Sequence, residues 1–354
     1  MFARMTPPAL VFGAVIVAGV AADRAAAQEA QDPTARFYKG KAIELIIGSD
    51  VGGGYDTYSR VLARHMSKHI PGSPNVVPKN LPGAGSQKAA SYEYNVAPKD
   101  GTSMAALFSG ALVDPLLGEP KSKPQFDANK FEYLGSTNRE VSVCIVGKDS
   151  PVKTLKQAQD TEILVGSSAA GGSTRDFPLA DNRLINTKFR LVSGYPGTRE
   201  IGLALERNEV NGICGLYYSS VASQYPDWKQ TGRVKPILQE SLAGHPVLDA
   251  EKVPVLFNQV KPADKPVAEL IFGQLVFGRP YVLPPGTPPE RVAVLRTAFM
   301  AALADPELLA DAEKAKVEIR PVSGQEVQAL ISRMYSAPPA IVARAKEILA
   351  GPKR

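Results

Sequence analysis

The feature that most restricts this chain is a device it carries twice. "IELIIGSDVGGGYDTYSRVL", starting at Ile43, runs an apolar stretch into a glycine loop and then into a helical pattern. "EILVGSSAAGGSTRDFPLAD", starting at Glu162 in the other half, does the same. A short apolar run closed by glycines reads as a buried strand, and the pattern after it has the three- and four-residue spacing of an amphipathic helix. A strand that delivers the chain to a helix start is the unit of an α/β sheet, where ligands collect off the carboxyl ends of the strands. Two such ends, one in each half, could face each other across a cleft.

The rest of the chain fits that reading. Strand-like runs fall at 42–48, 75–80, 103–108, 141–147, 162–167, 189–194, 211–217, 234–239 and 273–284. Helical patterns fall between and after them, at 56–69, 86–95, 198–207, 289–303, 325–335 and 339–349. At 354 residues the chain is long enough for two ordinary domains. Its net charge of +6 is spread in loose groups rather than gathered into a basic patch, which argues against a nucleic-acid partner.

Residues 1–27 read as a secretory signal: Arg4, an apolar core of about 15 residues ("PALVFGAVIVAGVAA"), then small residues at Ala25–Ala27. No later stretch is apolar enough to span a bilayer, so an exported, soluble, periplasmic protein is expected. Cys144 and Cys214 both lie in strand-like runs. A disulfide is open to them, but two separate buried thiols is the preferred reading, because sequence gives no distance.

Helix N-termini offer free N–H groups and partial positive charge, and glycine lets the backbone come close, so the loops suit an anion. The nucleotide motifs fail. After Gly52, Gly53 and Gly54 the next lysine is Lys68, too far for a P-loop, and Thr57 stands where a dinucleotide fingerprint needs its third glycine. His65 and His69 are one helical turn apart but lack the glutamate and third ligand of a zinc site. No nucleophile elbow is present, and no cofactor is implied. Neutral donors suit binding better than turnover.

Taken in order, "FYKGKAIELIIGSDVGGGYDTYSRVLARHM", "VVPKNLPGAGSQKAASYEYNVAPKDGTSMAALFSG", "GYPGTREIGLALERNEVNGICG" and "YVLPPGTPPERVAVLRTAFMAALADPEL" resemble the extracytoplasmic solute-binding receptors of tripartite tricarboxylate transporters, the Bug or TctC family. The resemblance spans residues 37–333. It implies a periplasmic-binding-protein-like Venus flytrap: two α/β domains joined by two crossovers, with the ligand closed between them. Domain 1 would hold 37–137 and 271–354, domain 2 would hold 138–270, and the crossovers would lie near "GSTNRE" and "ELIFGQ". The implied function is periplasmic capture of a small organic carboxylate, a di- or tricarboxylate or an aromatic acid, for a two-component membrane permease, by a monomer that is not an enzyme. The alternatives are an exported α/β enzyme acting on a small carboxylate, and a ligand sensor for a membrane kinase.

Position by position, the resemblance implies a first carboxylate-holding loop at Val51, Gly52, Gly53, Gly54, Tyr55 and Asp56. A second wall comes from Gly83 and Ala84, with Ser109 and Gly110 after the next strand. The other domain would give Ser167, Ser168, Gly171, Gly172, Ser173, Thr174 and Arg175, then Tyr195, Gly197 and Thr198. Asn211 stands where the family has an aspartate, which suggests a ligand without an amino group to pair. Family members usually read P-G-G-G-T-D in the first loop, so Val51 and Tyr55 depart from the pattern. Tyr55 either lines the pocket or packs outward. Arg175 either clamps a second carboxylate or pairs with Asp176, the pairing being preferred. Residues 334–354 run past the usual end and are expected to add one packed helix.

Overall fold

The computed structural model describes residues 32–118, 125–168 and 170–351. The signal-peptide reading of residues 1–27 lies outside them. Two sheets organise the chain. The first joins β1 (Ala42–Ile47), β2 (Asn75–Asn80), β3 (Ser103–Ala106), β4 (Glu132–Ser136), β10 (Pro280–Leu283) and β11 (Val322–Ser323), in the order β11-β4-β10-β3-β1-β2. The second joins β5 (Ser142–Gly147), β6 (Ile163–Ser167), β7 (Phe189–Ser193), β8 (Gly212–Tyr217) and β9 (Val234–Glu240), in the order β7-β6-β8-β5-β9. Each sheet with its helices is called a lobe below.

Both sheets follow one plan. β1 is parallel to β2 on one side and β3 on the other, and β6 is parallel to β7 and β8 in the same way. Antiparallel strands complete each sheet: β10 and β4 beyond β3, β5 and β9 beyond β8. The strand order therefore reverses between β1 and β3 and again between β6 and β8. Such a switch point opens a crevice at the carboxyl ends of the strands.

Six helices position the site: α1 (Gly54–Met66), α2 (Gln87–Asn95), α3 (Ser109–Leu117), α4 (Ser173–Leu184), α5 (Thr198–Glu206) and α6 (Lys265–Phe272). α1 shows why the local sequence folds as it does. Tyr58, Val61, Leu62 and Met66 form its apolar face, and they bury against Ile43, Leu45 and Ile47, the alternate residues of β1. Burying each of these side chains is worth about 1.5–3 kcal/mol. Ile46, on the opposite face of β1, joins a separate core that extends into the second lobe.

Most sequence expectations fall within a residue or two of these elements, and 339–349 forms the expected extra helix, α7 (Pro339–Leu349). Two do not hold. The run 273–284 is strand only at Pro280–Leu283; Gly273–Phe277 is a 3-10 turn continuing from α6. A fully apolar run carries no periodicity to separate these cases. Cys144 and Cys214 are joined in a disulfide rather than separate, because β5 and β8 are neighbours in the sheet. No helix among the described residues is long and apolar enough to cross a membrane.

Candidate functional site

The loops expected to hold a ligand leave the carboxyl ends of β1, β2 and β3 in the first lobe and of β6, β7 and β8 in the second. Their tips meet. A Cβ placed on Gly110, in the first turn of α3, would lie 2.5 Å from the Gly171 carbonyl oxygen of the other lobe. One on Gly85 would lie 3.8 Å from the Ala170 carbonyl oxygen, and one on Gly52 would lie 4.0 Å from Arg199 Nη1, at the start of α5. The Tyr217 hydroxyl, at the end of β8, lies 2.9 Å from Ser109 Oγ, just past β3. The two switch points thus face one another directly.

In the first loop, Asp56 acts on its own loop. Its carboxylate accepts from Gly52 N at 2.9 Å, Arg60 Nε at 2.9 Å and Asn80 Nδ2 at 2.9 Å. Burial opposes its charge, but those donors outweigh burial and hold the carboxyl below its ordinary range. This fixes the turn in which Gly52 has φ +81° and Val51 is 69% exposed. Gly53 is the N-cap of α1 and supplies no side-chain cap.

Tyr55 packs inward. Its hydroxyl donates to Gly278 O at 2.5 Å and accepts from Ser109 N at 3.3 Å, and its ring lies 4.6 Å from that of Phe108. The next wall is conformationally unusual: Gly83, Ala84, Gly85 and Ser86 all have positive φ, at 137°, 46°, 59° and 76°. For Ala84 and Ser86 that is costly, and such strain gathers at ligand sites.

In the second lobe, Ser167 Oγ donates to Ser168 O, Ser168 N donates to Thr174 Oγ1 at 3.1 Å, and Ser173 Oγ donates to Gly215 O at 2.7 Å. These hydroxyls shape the loop from within. Gly172 is the N-cap of α4, and Gly197 that of α5, again without a side-chain cap. Tyr195 packs on the second-lobe core, and Thr198 O accepts from the Tyr225 hydroxyl at 2.8 Å.

Two expected residues do not join this cluster. Arg175 Nη1 pairs with Asp176 at 2.8 Å and donates to Leu349 O at 3.1 Å, at the end of α7. Asn211 lies at the opposite edge, ahead of β8, where its Oδ1 accepts from Leu164 N at 2.9 Å inside the sheet. His65 and His69 bond carboxylates, Asp311 at 3.0 Å and Asp305 at 2.8 Å.

The cleft floor was not legible in the sequence. The two connections between the lobes bring Asn138 and Glu140 together with Gln274 and Arg279. Arg279 is 1% exposed. Its Nε donates to Glu140 Oε1 at 3.0 Å, and its Nη2 donates to Ser219 Oγ at 2.8 Å and Ser220 Oγ at 3.3 Å. Its guanidinium lies over the rings of Tyr58, Tyr55 and Tyr217, at 4.2, 4.9 and 5.6 Å. Burial opposes this charge, but Glu140 beside it prevails and keeps the group protonated. Gln274 Oε1 accepts from Ser109 Oγ at 3.3 Å. The one available signal was a charged residue inside an otherwise apolar run, "LVFGRPYVL".

Four helices of nine to thirteen residues, α1, α3, α4 and α5, therefore start at the cleft with no side-chain cap. Elsewhere Thr154, Asp305 and Ser323 cap helix starts with their side chains, while the starts at Asp264, Pro288 and Pro338 are also uncapped; it is the convergence of the four that marks the cleft. Such starts leave N–H groups for a ligand and concentrate partial positive charge, although at α3 the first N–H, that of Ser109, is already taken by the Tyr55 hydroxyl.

No protein-family model matches the chain. A curated protein of Cupriavidus necator, described as "UPF0065 protein in gbd 5'region", is 34% identical over 142 residues, which is 40% of this chain and 41% of that protein. Among solved structures, a TctC solute-binding protein from Polaromonas superposes with a TM-score of 0.62 at 23% identity, covering 88% of this chain and 98% of that one. MatC of Rhodopseudomonas palustris, solved with malate, gives 0.67 at 19% identity over 88% and 99% of the chains. A second R. palustris protein, solved with adipate, gives 0.66 at 18% over 87% and 98%. The chain has the two-lobed α/β fold of the TctC solute-binding proteins, the family its sequence resembles.

Proposed function

We propose that this protein is a solute-binding receptor that closes its two lobes on a small organic carboxylate and presents it to the membrane permease of a tripartite tricarboxylate transporter. The observation that carries this reading is the meeting of four uncapped helix starts, two from each lobe, over a floor with one buried cation. That arrangement supplies N–H donors and positive potential from both sides, which suits an anion held by the backbone. Malate and adipate in structures of the same fold agree in chemistry. We take residues 37–137 with 271–354 as one domain and 138–270 as the other, moving as a hinge about the two connections. The signal-like residues 1–27 direct the protein to the periplasm.

A thermal-shift screen of C4–C6 dicarboxylates and aromatic acids, with chromatography of each mixture, tests the reading. Stabilisation with the acid recovered unchanged supports a receptor. Conversion of any stabilising acid into product identifies an enzyme instead.

A further inference from the structure

We propose that Arg279 is the charged anchor of the cleft, placing its free Nη1 on one carboxylate oxygen of the ligand at the start of α1; this deepens the receptor reading and rests on it. A guanidinium has five N–H donors. In Arg279 the Nε donor goes to Glu140 and the Nη2 donors go to Ser219 and Ser220, while Nη1 has no acceptor although it is fully buried. A buried polar group left without a partner is costly, and natural interiors keep few of them.

The position of Nη1 says what would satisfy it. It lies 2.9 Å from where a Cβ on Gly54 would stand, with Ser220 Oγ at 3.0 Å from the same point. Gly54 is the first residue of α1, a thirteen-residue helix with no side-chain cap. Its opening N–H groups also need an acceptor, and its positive end repels the neighbouring guanidinium. Glu140 offsets part of that repulsion, but its Oε1 is already shared by Asn138 Nδ2, Ser219 Oγ and Arg279 Nε. Nη1 packs directly against Gly54, with Nη2 at 3.1 Å from the same Cβ position, so an anionic oxygen would have to reach Nη1 from the cleft side, beside the start of α1, as the lobes part; there it would accept from both and neutralise both. A neutral amide would bring weaker acceptance, and an ammonium none.

Arg279 also touches every moving part. It sits in the connection returning to the first lobe, pairs with Glu140 in the outgoing connection, and reaches Ser219 and Ser220 of the second lobe. Its charge-assisted bond would then distinguish this site from one that holds its ligand by backbone N–H groups alone, and would set a preference for a full negative charge at the α1 end.

The test is calorimetric titration of the full mature protein with malate, adipate, succinate and succinamate, the mono-amide of succinate. Arg279→Met combined with Glu140→Gln removes the cation without leaving a lone buried carboxylate. The proposal expects this variant to melt cooperatively, to bind the best diacid roughly 10–100-fold more weakly, and to prefer succinate over succinamate less than the wild type does. Wild-type affinity and preference in the folded double variant would overturn the anchor and leave the receptor reading standing. Failure of the wild type to bind any of the acids would overturn both. Should the double variant not fold, Arg279→Lys decides: a loss of about tenfold or more supports the anchor, and an unchanged Kd overturns it.

Discussion

The Tyr217 hydroxyl of the second lobe lies 2.9 Å from Ser109 Oγ of the first. Each residue stands at the end of the strand where its sheet reverses order, β8 in one and β3 in the other. Two switch points that would each form a crevice alone are thereby set mouth to mouth. Replacing Tyr217 with Phe removes the bridge while keeping the ring over Arg279. We expect a fold loss in affinity of about three- to tenfold through easier opening, read as a faster off-rate in stopped-flow.

Gly53→Val should abolish high-affinity binding without unfolding the protein. Gly53 has φ −76° and ψ 168°, open to any residue, and a Cβ there meets nothing closer than Asp50 O at 3.5 Å. The side chain would instead stand over the α1 N–H groups. A drop of roughly 10–100-fold in affinity with an unchanged melting curve is expected; unchanged affinity would remove this loop from the site.

Arg175→Ala should cost stability rather than ligand discrimination. The change breaks the Arg175–Asp176 pair and the bond to Leu349 O at the end of α7. A loss of about 1–3 kcal/mol is expected in denaturant unfolding. Mono- and dicarboxylates should keep their relative affinities; selective loss of the dicarboxylates would show that Arg175 leaves Asp176 to clamp the ligand.

Stability should be greatest at mildly acidic pH and fall as pH rises toward 8. Glu93 is fully buried with Ser103 Oγ on its carboxyl, and burial pushes its pKa up to about 8. Glu240 is pushed up to about 7 by burial, and burial beside Glu240 raises Asp181 as well. A carboxyl with a raised folded pKa contributes fully below its unfolded value near 4.5, and the contribution is lost as pH rises through the folded value. Between pH 5 and 8, Glu93 alone should account for about 2–4 kcal/mol, so Glu93→Gln should flatten the profile of unfolding free energy by that amount.

The disulfide should stabilise the second lobe without touching the ligand. It closes a loop spanning 70 positions between β5 and β8. Cys144→Ala with Cys214→Ala should lower unfolding free energy by about 3–4 kcal/mol and leave Kd unchanged.

What the sequence shows of this molecule follows from range. β1, α1 and their loop all lie within residues 42–66, so their faces and glycines can be read directly from local spacing. Asn211 misleads because a family position says where the backbone runs, not what competes for the side chain: Leu164 N takes its Oδ1. At Arg175 the preferred pairing with Asp176 is the one that forms, because the two are chain neighbours and the contact is local. The Cys144–Cys214 bond needs the strand order, which no local pattern carries. Arg279 needs more still, since its partner Glu140 is 139 positions away and the three tyrosines around it come from both lobes. Its neighbourhood in the sequence looks like plain core.

Whether the cleft captures a carboxylate is settled by calorimetric titration of the purified mature protein with malate, adipate and an aromatic acid. A receptor of this kind shows saturable one-to-one binding of at least one acid, with the corresponding amide bound more weakly. No heat and no thermal stabilisation with any of the acids, in protein shown to be folded, would contradict such capture.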